Sequence, residues 1–167
     1  MLNKEKIASF NESYLATHKQ NLNFLGENLS KKNLDLNTVI NKLSDFQIAI
    51  PSWALGTGGT RFGRFPLGGE PNTLEEKIKD VGLLHALNRS SGAISLHIPW
   101  DIPEDYKKMK SLAHELDINF DAVNSNTFQD QSGGTHSYKF GSLSHIDKAV
   151  RKKAIQHNKE VIDHGIK

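Results

Sequence analysis

Apolar residues in the first thirty positions recur at helical spacing: Ile7, Phe10, Tyr14, Leu15, Leu22, Leu25 and Leu29. No proline interrupts them, so the pattern predicts a helix over residues 4–30. A shorter helix is expected over 37–45, presenting Val39, Ile40 and Leu43. The period then changes. Residues 46–50 (FQIAI) form a short apolar run stopped by Pro51, the signature of a buried strand, and the glycine-rich stretch 56–69 predicts a loop. Thr73-Leu-Glu-Glu76 has the form of a capping box, in which the Thr hydroxyl satisfies an amide of the first turn while Glu76 reaches back. The helix it opens carries Leu74, Ile78, Val81, Leu84 and Leu87 on one face.

The same unit recurs twice. Residues 93–98 (AISLHI) predict a second buried strand, followed by a helix with Pro103 in its first turn and Tyr106, Met109, Leu112, Ala113 and Leu116 inward. Residues 118–123 (INFDAV) predict a third strand. A final helix is expected over 144–164, with Val150, Ala154 and Val161 inside and Gly165 as its stop. Parallel strands need crossovers and bury both faces, so alternating strands and helices predict a parallel sheet covered by helices. The chain divides accordingly into a helical extension, residues 1–45, and three βα units over 46–167.

With 167 residues, 37% hydrophobic and a net charge of +2, this is the composition of a soluble globular domain or part of one. Basic residues alternate with acidic and amide residues rather than forming a stripe, so no nucleic-acid partner is expected. The absence of cysteine excludes disulfides, thiolate metal sites and a thiol nucleophile. The start, MLNKEKIASFNESYL, has no signal-peptide core, and no apolar run approaches the roughly 18 residues of a membrane span. A cytoplasmic protein without membrane contacts is the expectation.

In parallel α/β folds the functional groups stand at the carboxyl ends of strands. There the chain places Trp53, then His97, Trp100 and Asp101, then Asn124 and Phe128. His97 ends an apolar run, so its ring is expected at the rim. Imidazole exchanges a proton readily near neutrality, as opening a sugar hemiacetal requires, and the same position also suits a purely structural donor. Trp53, Trp100 and Phe128 suit either core packing or the C–H face of a sugar. The loop 56–69, with Arg61 and Arg64, matches neither a P-loop nor a dinucleotide fingerprint; it suits a lid over the strand ends, or a plain flexible connection. His136, His145, His157 and His164 follow no metal-site spacing, and a solvated or hydrogen-bonded role is expected for them.

Four segments in order, PSWALGTGGTRFGRFP, SLHIPWD, FDAVNSNTF and HSYKFGSLSH, resemble strand ends and loops of the L-rhamnose isomerases of broad specificity. The resemblance spans nearly the whole chain and is weakest over the first forty or so residues. It implies a xylose-isomerase-like (β/α)8 TIM barrel that converts an aldose to its ketose with divalent metal, usually manganese. It implies further that Trp53 and Phe128, joined by Trp100 and Asn124, contact a small-molecule sugar and that His97 acts in ring opening. Phe62 would reach a neighbouring subunit's site in a homo-oligomer, a tetramer. A complete barrel takes about 250 residues, so the chain reads as an amino-terminal part, with the metal ligands on later strands and little activity alone. Two alternatives stand beside this: a metal-dependent phosphodiesterase or endonuclease on the same barrel, against which the near-neutral charge argues, and a non-catalytic carbohydrate-binding remnant. The first reading predicts that Trp53, His97 and Phe128 converge on one rim, because parallel neighbours lie about 4.8 Å apart.

Overall fold

Local sequence sets the helix boundaries in the computed structural model, which describes residues 3–56, 68–130 and 134–167. Six α-helices occur among these residues, with β1 to β3 placed between them. The predicted first helix is two, α1 (Lys4–Glu12) and α2 (Leu15–Ser30). The break falls where the Ser13 hydroxyl donates to the Phe10 carbonyl (2.9 Å) and Tyr14 N–H reaches only back to Asn11 (3.0 Å). Serine competes for backbone partners in this way, a local effect that apolar spacing does not register. α3 (Leu36–Ser44) starts at Asp35, whose carboxylate accepts from Thr38 N–H at 2.8 Å.

β1 (Ala49–Pro51) is shorter and later than expected: Phe46 and Ile48 lie outside it, exposed. α4 (Leu74–Asn88) opens with the capping box, Glu76 N–H to Thr73 Oγ1 at 3.2 Å and Thr73 N–H to Glu76 Oε2 at 3.0 Å. β2 (Ala93–Ile98) has the predicted bounds. Pro103 stands before α5 (Tyr106–Glu115), not in its first turn, because Asp105 takes the cap by accepting from Lys108 N–H at 3.0 Å. After β3 (Asn119–Ser125), α6 (Lys148–Ile166) runs through Gly165. That glycine is there for closeness rather than termination, since a Cβ on it would stand 3.3 Å from Val123 Cγ2.

The strands pair in parallel in the order β1–β2–β3, with Ile50 opposite Ile94 and His97 opposite Asn124. Strand alternation gives the sheet two unlike faces. Ile94 lies on the helix side, in one core with Leu74, Ile78 and Val81 of α4 and with Met109, Ala113 and Ile118; Ile50 and Leu96 pack against it. The other face carries Ala93, Ser95 and His97 from β2, and Ser95 Oγ donates to Asp121 of β3 at 3.1 Å. Strands buried on both faces by apolar residues were expected. Instead the second face is small and polar, and β3 is an edge strand exposed over its first four residues, Phe120 among them. An edge strand presents unpaired backbone groups as well as exposed side chains. Two further expected inward positions of α4, Leu84 and Leu87, are exposed.

Candidate functional site

The carboxyl ends of β1 and β2 and the chain after β3 bring three predicted aromatic residues together around the imidazole of a fourth, His97. His97 lies edge-on to Trp53, ring centroids 5.3 Å apart at 90°, and to Phe128, 5.6 Å at 74°. The Trp100 ring is nearer still, 4.6 Å and tilted by 44°. These separations fall within the range of favourable aromatic pairs. Trp53, His97 and Phe128 thus share one rim, as their strand positions predict. Asn124, opposite His97 on the adjacent strand, is half-buried. Phe62, like Arg61 and Arg64, lies outside the described residues.

Each side chain is delivered by a local device. β1 ends in a short 3₁₀ turn, Ser52–Ala54, that carries Trp53. Gly56 follows Leu55, and a Cβ there would stand 2.2 Å from the Pro71 carbonyl oxygen, so only glycine lets the backbone lie this close to Pro71. β2 passes through a cis Ile98–Pro99 peptide into Trp100. Phe128 sits in a turn held by Asn126, whose side-chain oxygen accepts from Gln129 N–H (3.2 Å) and whose own N–H is shared between the Ile98 carbonyl (3.2 Å) and His157 Nε2 (3.1 Å).

Beneath the rim lies a buried charged cluster, of which the sequence reading placed Asp101 at this strand end but not its pairing with Lys77. Asp101 is 1% exposed and Lys77 3%. Lys77 Nζ meets Asp101 Oδ1 at 2.8 Å, while Oδ2 accepts from the Ser52 hydroxyl and from His97 N–H, the latter at 2.7 Å. Asp101 N–H in turn donates to the His97 carbonyl at 3.0 Å. A buried charge needs such partners, because its desolvation is otherwise prohibitive. One signal was available: Lys77 stands between Leu74, Ile78 and Val81 on the apolar stripe of α4, where a lysine is rarely placed without a partner.

His97 itself is buried, and its Nε2 has no hydrogen-bond partner. Burial pushes the imidazole below its ordinary value; the Asp101 carboxylate pulls the other way, and His157 and Lys77 add to the lowering. At neutral pH the ring is therefore uncharged, with one nitrogen free to accept or donate. Phe128, 47% exposed, is the most exposed of the three surrounding rings.

The four histidines that follow no metal-site spacing are engaged locally, in the hydrogen-bonded role expected of them. His157 accepts from Asn126, His145 Nδ1 accepts from Asp147 N–H at 2.9 Å, His136 pairs with Thr135 at 2.7 Å and His164 with the Tyr106 hydroxyl. Among the described residues no three His, Asp or Glu side chains gather to hold a metal ion, so these side chains do not fit a divalent metal site. No described helix is long and apolar enough to cross a membrane.

No family model matches the chain. Two curated proteins do, both described as probable sugar isomerases. The one from Rhizobium meliloti (strain 1021) is 48% identical over 141 residues, covering 84% of this chain and 33% of its own length. The one from Mesorhizobium japonicum is 45% identical over 141 residues, with the same two coverages. The chain thus spans about a third of the length of these relatives.

Proposed function

We propose that this chain provides the substrate-side aromatic wall of a sugar isomerase, of the kind that interconverts L-rhamnose and its ketose or a related pair, on a (β/α)8 barrel whose first three βα units it forms. The observation that carries the reading is the unpartnered, uncharged His97 Nε2 set among Trp53, Trp100 and Phe128 at the ends of parallel strands. Indole and phenyl faces accept the C–H face of a pyranose, and each exclusion of water strengthens the one polar contact inside. His97 takes the proton of the anomeric hydroxyl as the C1–O5 bond breaks and returns it to O5, leaving the open-chain aldose. Imidazole suits both transfers because it changes charge near neutral pH. Asn124, beside His97 on β3, offers a donor and an acceptor to a neighbouring sugar hydroxyl.

A divalent metal, manganese by the family resemblance, would supply the polarisation of the sugar oxygens that isomerisation requires. In this reading its ligands lie outside the described side chains, the protein is cytoplasmic, and Phe62 completes the site of a neighbouring subunit in a homotetramer. The test is saturation-transfer NMR on the 167-residue chain with L-rhamnose, with a nucleoside monophosphate as control. Transfer to the sugar ring protons, abolished in Trp53→Ala, is expected. Transfer to the nucleotide alone would favour phosphodiester chemistry, and transfer unaffected by Trp53→Ala would remove the wall from the site.

A further inference from the structure

The carboxylate of Asp101 touches two of the strand ends that build the rim. Its Oδ2 accepts at once from the Ser52 hydroxyl, in the turn that carries Trp53, and from the backbone N–H of His97. Its Oδ1 is held by Lys77 Nζ at 2.8 Å, so the group is clamped from α4 on its far side. The Asp101 N–H closes a second link to the His97 carbonyl. Ser52, Lys77 and Asp101 are all buried, Ser52 at 0% exposure, so water cannot substitute for any partner. Rotamers locked by packing and further hydrogen bonds are what hold a site to the precision that chemistry demands.

We infer that Asp101 is a positioning residue: its single carboxylate, clamped by Lys77, fixes Trp53 and His97 relative to one another and so sets the spacing of the sugar-contacting wall. The inference deepens the sugar-site reading and, for its functional consequence, rests on it. The position of two side chains from different strands then depends on one group that touches neither ring. The electrostatic effect of Asp101 on His97 is consistent with this closeness.

The test uses the nitrogen-15-labelled full chain and three measurements: amide hydrogen exchange residue by residue, the indole resonance of Trp53, and L-rhamnose titration. In Asp101→Asn an amide replaces one acceptor oxygen with a donor, opposing the incoming hydrogens. The His97 amide is expected to exchange about tenfold faster or more, while those of Ile94 and Leu96 change far less. The Trp53 indole resonance moves, and sugar affinity falls by about tenfold. A His97 amide as protected as in the parent chain overturns the inference.

If Asp101→Asn does not fold, Ser52→Ala decides. It leaves the Lys77 and His97 contacts and removes only the tie to the Trp53 turn. A shifted Trp53 indole with a still-protected His97 amide supports the inference, and an unmoved indole overturns it. The two readings separate cleanly. Exchange and indole changes without any sugar binding by the parent chain uphold the positioning and sink the sugar site. Equal sugar binding by parent and Asp101→Asn does the reverse.

Discussion

Replacing Asp101 by alanine tests how much of the fold hangs on the buried cluster. The substitution leaves Lys77, 3% exposed, without its anion, and strips the Ser52 hydroxyl and the His97 N–H of their acceptor. Removing one member of a buried ion pair costs about 3–5 kcal/mol, because the partner stays charged and desolvated. Against a typical domain stability of about 5–15 kcal/mol, that is a large share. Two controls identify the cause. Lys77→Met leaves the carboxylate two donors and should cost less than Asp101→Ala. The pair Lys77→Met with Asp101→Leu removes both charges, a change that is often neutral for an isolated pair. Here it should not recover parental stability, since Ser52 and His97 each still bury an unmet donor at about 1–3 kcal/mol. Urea unfolding followed by far-UV circular dichroism measures all four chains, and the differences should persist in high salt, which screens exposed pairs but not buried ones. A loss below about 1 kcal/mol for Asp101→Ala, or full recovery in the double variant, would refute the reasoning.

Three further outcomes follow from the same geometry. The chain has two tryptophans, and both lie against His97, so their emission reports its protonation: a single quenching step on acidification is expected with its midpoint below 6.5, absent in His97→Gln. Because the folded value is the depressed one, the stability linked to neutral His97 is fully present above pH 6.5 and is lost as pH falls through the lower folded value, which pH-dependent urea midpoints would register. Gly56→Ala should cost about 1–3 kcal/mol by driving the Pro71 backbone away, read by thermal unfolding. Thr73→Ala, which removes the hydroxyl side of the capping box, should cost about 1 kcal/mol by the same assay.

Periodicity carried the helices well where a side chain capped them in sequence. The box at Thr73–Glu76 is visible in four letters, and β2 emerged with its bounds intact because Gly92 and Pro99 punctuate it. Errors arose where a polar side chain outcompeted the pattern: Ser13 split the first helix, and Asp105 moved the start of α5 past Pro103. Gly165 was misread because a glycine that ends a helix and one that lets a helix approach a strand look alike in sequence.

The rim was legible because strand ends deliver side chains predictably, so Trp53, His97, Trp100 and Phe128 could be named and were found together. The clamp below it was not. Ser52, Lys77 and Asp101 are 25 and 24 residues apart along the chain and meet only because β1, β2 and α4 pack as neighbours. Nothing short of the tertiary fold tells a lysine buried against an aspartate from a lysine on a wet face. Asn126 belongs to the same class: an asparagine in a loop signals a turn, but only the fold shows that its N–H meets His157 of α6 and that the turn aims Phe128.

The account stands most directly on one nitrogen. With nitrogen-15 imidazole labelling, the His97 Nε2 resonance can be followed as L-rhamnose is added to the chain at pH 7.5, where the ring is uncharged. A sugar hydroxyl or ring oxygen that gives this nitrogen its missing partner should shift the resonance saturably, together with the indole signals of Trp53 and Trp100. Saturable sugar binding that leaves His97 Nε2 and both indoles unmoved would contradict the assignment of this rim as the sugar site.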